Sequence, residues 1–205
     1  PVDETPEAIE AAALYDEYYN HFFLSGIFKG TYPARVLQAF EPHLPEGWQD
    51  DFKTIQAPID WVGLNYYTCK RIAPNGGAWP SHDEVDGPLP KTQMGWEIYP
   101  DGLHHFLRRT KEMYSGDLPL IVTENGLANA DVLKDGAVND PERISYVDQH
   151  LHAVQRAIAD GAPVKGYFLW SLMDNYEWAL GYEKRFGAVH VDFDTLVRTP
   201  KSSYY

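Results

Sequence analysis

The sequence predicts an α/β protein built on parallel strands, and three observations carry that reading. Short apolar runs alternate with helical patterns between residues 59 and 170. The runs are apolar almost without interruption, as strands covered on both faces are. The last helical pattern places Ile144, Val147, Leu151, Val154 and Ile158 on one stripe, at steps of three and four.

The elements follow in order. Thr5 is a plausible N-cap, with Pro6 at the first helical position and a helix running to about Leu24. Residues 25–58 read as loop and short helix, punctuated by Gly30, Pro33, Pro42, Pro45, Gly47 and Pro58. Ile59 to Leu64 is the first strand of the alternation. A Gly/Pro-rich excursion from Arg71 to Tyr99 follows it. Pro100 opens a helix through about Tyr114, with Leu103, Phe106 and Leu107 on one face. Leu118 to Thr123 is the second strand. Asp140 caps the next helix and Pro141 begins it; Gly161 and Pro163 stop it. Val164 to Trp170 is the third strand. This order fits an open doubly wound sheet or part of a (β/α)8 barrel. Neither a Gly-rich dinucleotide loop nor a phosphate loop follows any strand, which weighs against an open-sheet nucleotide binder.

Composition removes other classes. The 205 residues are 44% hydrophobic, enough for a real core, so wholesale disorder is excluded. Seventeen basic residues against thirty acidic ones give a net charge of -13, the wrong sign for a nucleic-acid binder. No apolar run reaches membrane-spanning length. Cys69 is the only cysteine, so an internal disulfide is impossible, and a reducing, cytoplasmic setting is expected. The opening Pro1-Val2-Asp3-Glu4 is no signal peptide and lacks an initiator Met, so the chain is expected to begin inside something longer. No cofactor or metal is expected. His104-His105 and His150 with His152 do not place two ligands on one helix face, and they read as solvated or capping residues. Asp101, Asp131, Asp135 and Asp140 read as turn and cap residues rather than a calcium loop.

In both architectures function sits beyond the C-terminal ends of the strands. The first strand ends in Asn65-Tyr66-Tyr67-Thr68, the second in Thr123-Glu124-Asn125-Gly126, and the third in Trp170-Ser171 and on to Tyr176-Glu177-Trp178. Carboxylates, amides, phenols and indoles therefore converge, which is the inventory of a carbohydrate site. Glu124 stands out because an ionisable group directly after an apolar run is costly unless paired or functional. From the residues alone, a strand-end carboxylate bonded to backbone is the competing reading.

Four segments resemble glycoside hydrolase family 1, the β-glucosidase family. They are Ile121-Val122-Thr123-Glu124-Asn125-Gly126, Gly63-Leu64-Asn65-Tyr66-Tyr67, Met94-Gly95-Trp96-Glu97, and Gly166 to Thr195 with Trp170 to Trp178 and Lys184-Arg185-Phe186-Gly187. The resemblance covers essentially the whole chain. It implies a single incomplete domain over residues 1–205, the C-terminal portion of a (β/α)8 TIM barrel, holding barrel strands six to eight. It also implies a retaining β-glycosidase acting on non-phosphorylated β-glucosides or oligosaccharides. In that resemblance Glu124 is the nucleophile and Tyr67 holds it. Glu177 binds distant sugar hydroxyls, Trp170 is the stacking floor and Trp178 donates its indole N–H. Phe186 lines the same pocket, Asn65 lies near the nucleophile, and Trp96 lines the aglycone side. Relatives acting on 6-phosphorylated glycosides carry Ser at the position of Glu177 and usually Tyr at that of Phe186.

One departure matters equally. The family's acid/base Glu lies in an Asn-Glu-Pro motif, and none occurs here. Phe40-Glu41-Pro42 is the nearest string, and Glu41 reads as loop. The acid/base and barrel strands one to five are therefore expected on an N-terminal barrel segment, in the same or a separate chain. The alternative is a truncated or degenerate barrel that binds sugar or a partner without turnover.

Overall fold

The computed structural model describes residues 1–205. Along the chain run α1 (Pro6–Asp16), α2 (Phe22–Lys29), α3 (Ala34–Phe40), α4 (Phe52–Ile55), β1 (Val62–Asn65), β2 (Arg71–Pro74), β3 (His82–Val85), α5 (Pro100–Thr110), β4 (Leu120–Asn125), α6 (Pro141–Ala159), β5 (Val164–Leu169), β6 (Val189–Val191) and β7 (Arg198–Pro200). The chain divides into two compact units. One comprises residues 1–60, 70–88 and 112–116, and the other residues 61–69, 89–111 and 117–205.

In the first unit Thr5 caps α1, its Oγ1 accepting from the Ala8 N–H at 3.4 Å. The helix does not stop at Leu24. A π-helical turn, Glu17–His21, carries it into α2, and it ends at Gly30, whose φ of +62° closes the last turn. Glu41 lies in a short 3-10 turn after α3, away from any strand. The excursion after residue 70 is more ordered than its Gly and Pro content predicts, because β2 and β3 pair as an antiparallel hairpin.

In the second unit β1, β4 and β5 form a parallel sheet in that order. The first strand is shorter than expected and begins at Val62. Helices α5 and α6 pack on one face of the sheet. Their shared core holds Leu103, Leu107, Leu120, Val122, Ala153 and Ala157. Consecutive strands lie side by side with both helices on one face, which is the winding of a barrel wall. A doubly wound sheet would place helices on both faces. The opposite face is not buried as the apolar runs suggest: Phe168 is 60% exposed and Trp61 50%.

The stripe read on α6 is also displaced. Ile144, Leu151 and Ile158 are exposed, whereas Arg143, Tyr146, His150, Ala153, Val154 and Ala157 face inward. Arg143, Tyr146 and His150 each make side-chain hydrogen bonds on this buried face, and a count of apolar residues does not see them. His150 is buried rather than solvated. Burial lowers its pKa to about 4, and its Nδ1 bonds the Tyr146 carbonyl at 2.7 Å.

Asp131 and Asp140 are likewise not ordinary turn and cap residues. Asp140 makes no side-chain cap on α6; its carboxylate takes Arg143 and the Ser203 N–H and hydroxyl. Arg143 also donates to Asp131, and Lys201 donates to Asp131 and, at 2.8 Å, to Asp174. Asp174 accepts from Arg185 at 2.6 Å and from the Gly187 N–H at 3.0 Å. Three cations and three carboxylates thus neutralise one another around the loop that follows β5. Removing one partner strands the others in a dry site. Lys201→Met is therefore expected to lower stability by about 3 kcal/mol, read from urea unfolding of the intact protein. An unchanged midpoint would show that the cluster is solvated.

Candidate active site

The three parallel strands end side by side, and β4 is the middle one. Asn65 lies opposite Glu124, and Asn125 opposite Leu169. At these ends the regular ladder breaks, with register shifts between Leu64 and Asn65 and between Val122 and Asn125. Side chains then take over some of the bonding that a regular ladder provides.

The Tyr67 hydroxyl donates to Glu124 Oε2 at 2.9 Å. Burial drives the Tyr67 phenol well above its ordinary pKa, and the bond to Glu124 and the charges of Glu124 and Glu177 push the same way. Tyr67 therefore keeps its proton and remains a donor. The Glu177 carboxyl is raised by burial, lowered by a hydrogen bond from Trp170, and raised again by the charge of Glu124. Glu177 thus senses the charge of Glu124, although 53 positions separate them in sequence (177 − 124).

Rings close one side of this group. Tyr67 and Trp96 lie 5.5 Å apart between centroids, Tyr67 and Phe186 6.1 Å, and Trp96 and Phe186 6.3 Å. Phe186 is almost wholly buried. Asn65 Oδ1 accepts from Thr123 Oγ1 at 2.6 Å, which fixes its amide beside β4. Of the residues expected at the site, only Trp178 stands apart. It is 81% exposed, and the indole bonded to Glu177 is that of Trp170.

Gly126 explains the end of the motif. A Cβ there would lie 2.0 Å from the Trp170 carbonyl oxygen, so β4 and the end of β5 can meet only at a glycine. Three further residues, Asn125, Tyr146 and Tyr167, were not singled out by sequence. Asn125, fully buried, bonds Tyr66, Tyr146 and Tyr167. Its place next to Glu124 was a signal, whereas the two tyrosines carried none.

No cluster of three or more His, Cys, Asp or Glu residues is arranged to hold a metal ion. No helix is long and apolar enough to cross a membrane. The arrangement offers a carboxylate braced by a phenol, a second carboxylate carrying an indole donor, and aromatic walls. Such a group can meet a carbon that develops positive charge while accepting hydrogen bonds from hydroxyls around it.

Comparison with known proteins places this geometry. The model of glycosyl hydrolase family 1 matches residues 1–205. A 1,4-beta-D-glucan glucohydrolase of Thermotoga neapolitana is 46% identical, over 100% of this chain and 46% of the relative. A 6-phospho-beta-galactosidase of Leptotrichia buccalis is 37% identical over 98% of this chain and 49% of its own length. A solved family 1 β-glucosidase of Thermotoga maritima, in complex with isofagomine lactam, superposes with a TM-score of 0.94 at 43% identity, covering 100% of this chain and 46% of the neighbour. The chain therefore spans about half the length of the relatives it matches, and it folds as part of a (β/α)8 barrel.

Proposed function

This chain belongs to glycosyl hydrolase family 1, and from that premise we propose that it supplies the nucleophile and much of the sugar pocket of a retaining β-glycosidase. The substrates are terminal, non-phosphorylated β-D-glucosides or oligosaccharides. The chain forms barrel strands six to eight, and an N-terminal segment with strands one to five completes the barrel. The observation that carries this reading is the 2.9 Å hydrogen bond from Tyr67 to Glu124 at the end of the central strand. A sugar-binding surface has no need of a braced carboxylate beneath the sugar.

In the proposed reaction the Glu124 carboxylate attacks the anomeric carbon as the glycosidic C–O bond breaks. The leaving oxygen takes a proton from an acid on the N-terminal segment, about 5–5.5 Å from Glu124 in retaining enzymes. The resulting glycosyl ester is opened by water, which the same residue deprotonates, and Glu124 is released as carboxylate. Tyr67 remains protonated throughout and holds the Glu124 oxygen. Trp170 is the stacking floor, Glu177 accepts from sugar hydroxyls, and Phe186 and Trp96 shape the walls. Asn65 stands beside the nucleophile. Trp178, exposed in this chain, donates its indole N–H to the sugar.

The test separates catalysis from mere binding. The 205-residue chain alone is expected to show no turnover of an aryl β-glucoside, and a segment carrying barrel strands one to five, joined or added in trans, is expected to restore it. Turnover by the chain alone would place both carboxylates within it and overturn the division of labour. A completed barrel that binds glucose but never hydrolyses would favour the degenerate, sugar-binding alternative.

A further inference from the structure

The hydrogen bonds behind the Glu124–Tyr67 pair form a directed relay. Tyr167 donates its hydroxyl to Asn125 Oδ1 at 2.7 Å. The Asn125 amide nitrogen donates to the Tyr66 carbonyl at 2.6 Å and to the Tyr146 hydroxyl at 3.0 Å. Tyr146 in turn donates to the Tyr67 carbonyl at 3.1 Å. The direction is fixed by chemistry. Turning the Asn125 amide over would set its oxygen against the Tyr66 carbonyl, two acceptors at hydrogen-bond distance. With the amide as donor, the single Tyr146 proton is left for Tyr67. Each proton donor of the relay has an acceptor, and Asn125 and Tyr146 are both buried.

The relay acts on two consecutive residues, Tyr66 and Tyr67, just past the end of β1, where the strand register has slipped. Backbone bonds hold the partner side: the Tyr66 N–H donates to the Glu124 carbonyl, and the Trp170 N–H to the Asn125 carbonyl, both at 2.9 Å. Fixing the carbonyls of Tyr66 and Tyr67 fixes the backbone from which the Tyr67 ring projects. Tyr146 is the only member of the relay supplied by a helix, so it ties α6 to the catalytic end of the sheet.

We infer that Tyr146 is a positioning residue, which holds Tyr67 in line with Glu124 through the Asn125 relay. The inference rests on Glu124 acting as nucleophile, and the experiment is chosen so that the two can fail separately. In the completed barrel, Tyr146→Phe keeps the ring and removes one hydroxyl. It is expected to lower kcat/KM for an aryl β-glucoside about tenfold, the scale of one lost hydrogen bond, mainly through kcat. In a Tyr67→Phe background the same change is expected to cost less than about twofold, because Tyr67 no longer has a hydroxyl to aim. A purely structural role would give the same loss in both backgrounds, or a lower melting temperature with unchanged kcat/KM, and either result overturns the inference. If Tyr146→Phe does not fold, Tyr167→Phe, at the head of the relay, is read in the same cycle with the same expected coupling. Glu124→Gln serves as the separate arm. Full activity in that variant removes the nucleophile itself, whereas an inactive Glu124→Gln beside an uncoupled Tyr146→Phe removes only the positioning role.

Discussion

Glu124→Gln in the completed barrel is expected to lower kcat for an aryl β-glucoside on the order of 10⁵-fold, the scale on which an enzyme loses its covalent nucleophile. Gln has nearly the shape of Glu and can still accept from Tyr67, so packing and the 2.9 Å contact survive while the nucleophilic charge is lost. The melting temperature should therefore move little. A smaller residue makes the test sharper. Glu124→Gly opens space below the anomeric carbon, and added azide should enter it, form the C1–N bond and expel the aryl oxide. The product is then the α-glycosyl azide, inverted relative to the substrate. Retained hydrolysis in Glu124→Gln with unchanged stereochemistry would show that another group attacks, and Tyr67 would lose its assigned purpose with it.

The parts legible in the sequence are those that depend on residues close together in the chain. The cores of β4 and β5 are apolar runs at their own positions, and Pro100 and Pro141 start α5 and α6 where they stand. Glu124 was legible because a charge after an apolar run needs a reason, and its four-residue neighbourhood supplied one. What escaped is what closes only in three dimensions. Lys201 reaches Asp131 across 70 positions, and Tyr146 reaches Tyr67 across 79. Neither spacing has a local pattern. The α6 stripe misled for a related reason. Ile144, Leu151 and Ile158 are spaced as a core face should be, yet Tyr146 and His150 are the residues turned toward the sheet. The Tyr146 hydroxyl bonds Asn125 and Tyr67 on the sheet, and His150 bonds the Tyr146 carbonyl, and apolar periodicity has no means of registering either.

The completed barrel is expected to prefer an aryl β-glucoside over its 6-phosphate by about 10³-fold in kcat/KM, and Glu177 is the reason. Its carboxyl is partly desolvated and bonded by the Trp170 indole, on the loop after β5. Two unit negative charges 4 Å apart at an effective dielectric of 20 repel by roughly 4 kcal/mol, and a phosphate dianion brings more than one. A protonated Glu177 would escape this repulsion, and the raised pKa of its carboxyl leans that way. Approach of a dianion raises it further, so part of the penalty becomes the cost of taking up a proton near neutral pH. Phe186 offers no hydroxyl to a phosphate and is packed against Tyr67 and Trp96. An unmodified hexose meets the opposite situation, since its hydroxyls donate to Glu177 and the charge strengthens those bonds. Glu177→Ser should therefore narrow the preference from both sides, weakening the glucoside and relieving the phosphate. The measurement is kcat/KM for the two substrates in both proteins across pH 5–8, the glucoside leading at every pH in the unsubstituted enzyme. A phosphate that is turned over faster would mean that Glu177 does not face the sixth carbon of the sugar, and the orientation assigned to the pocket would have to be reversed.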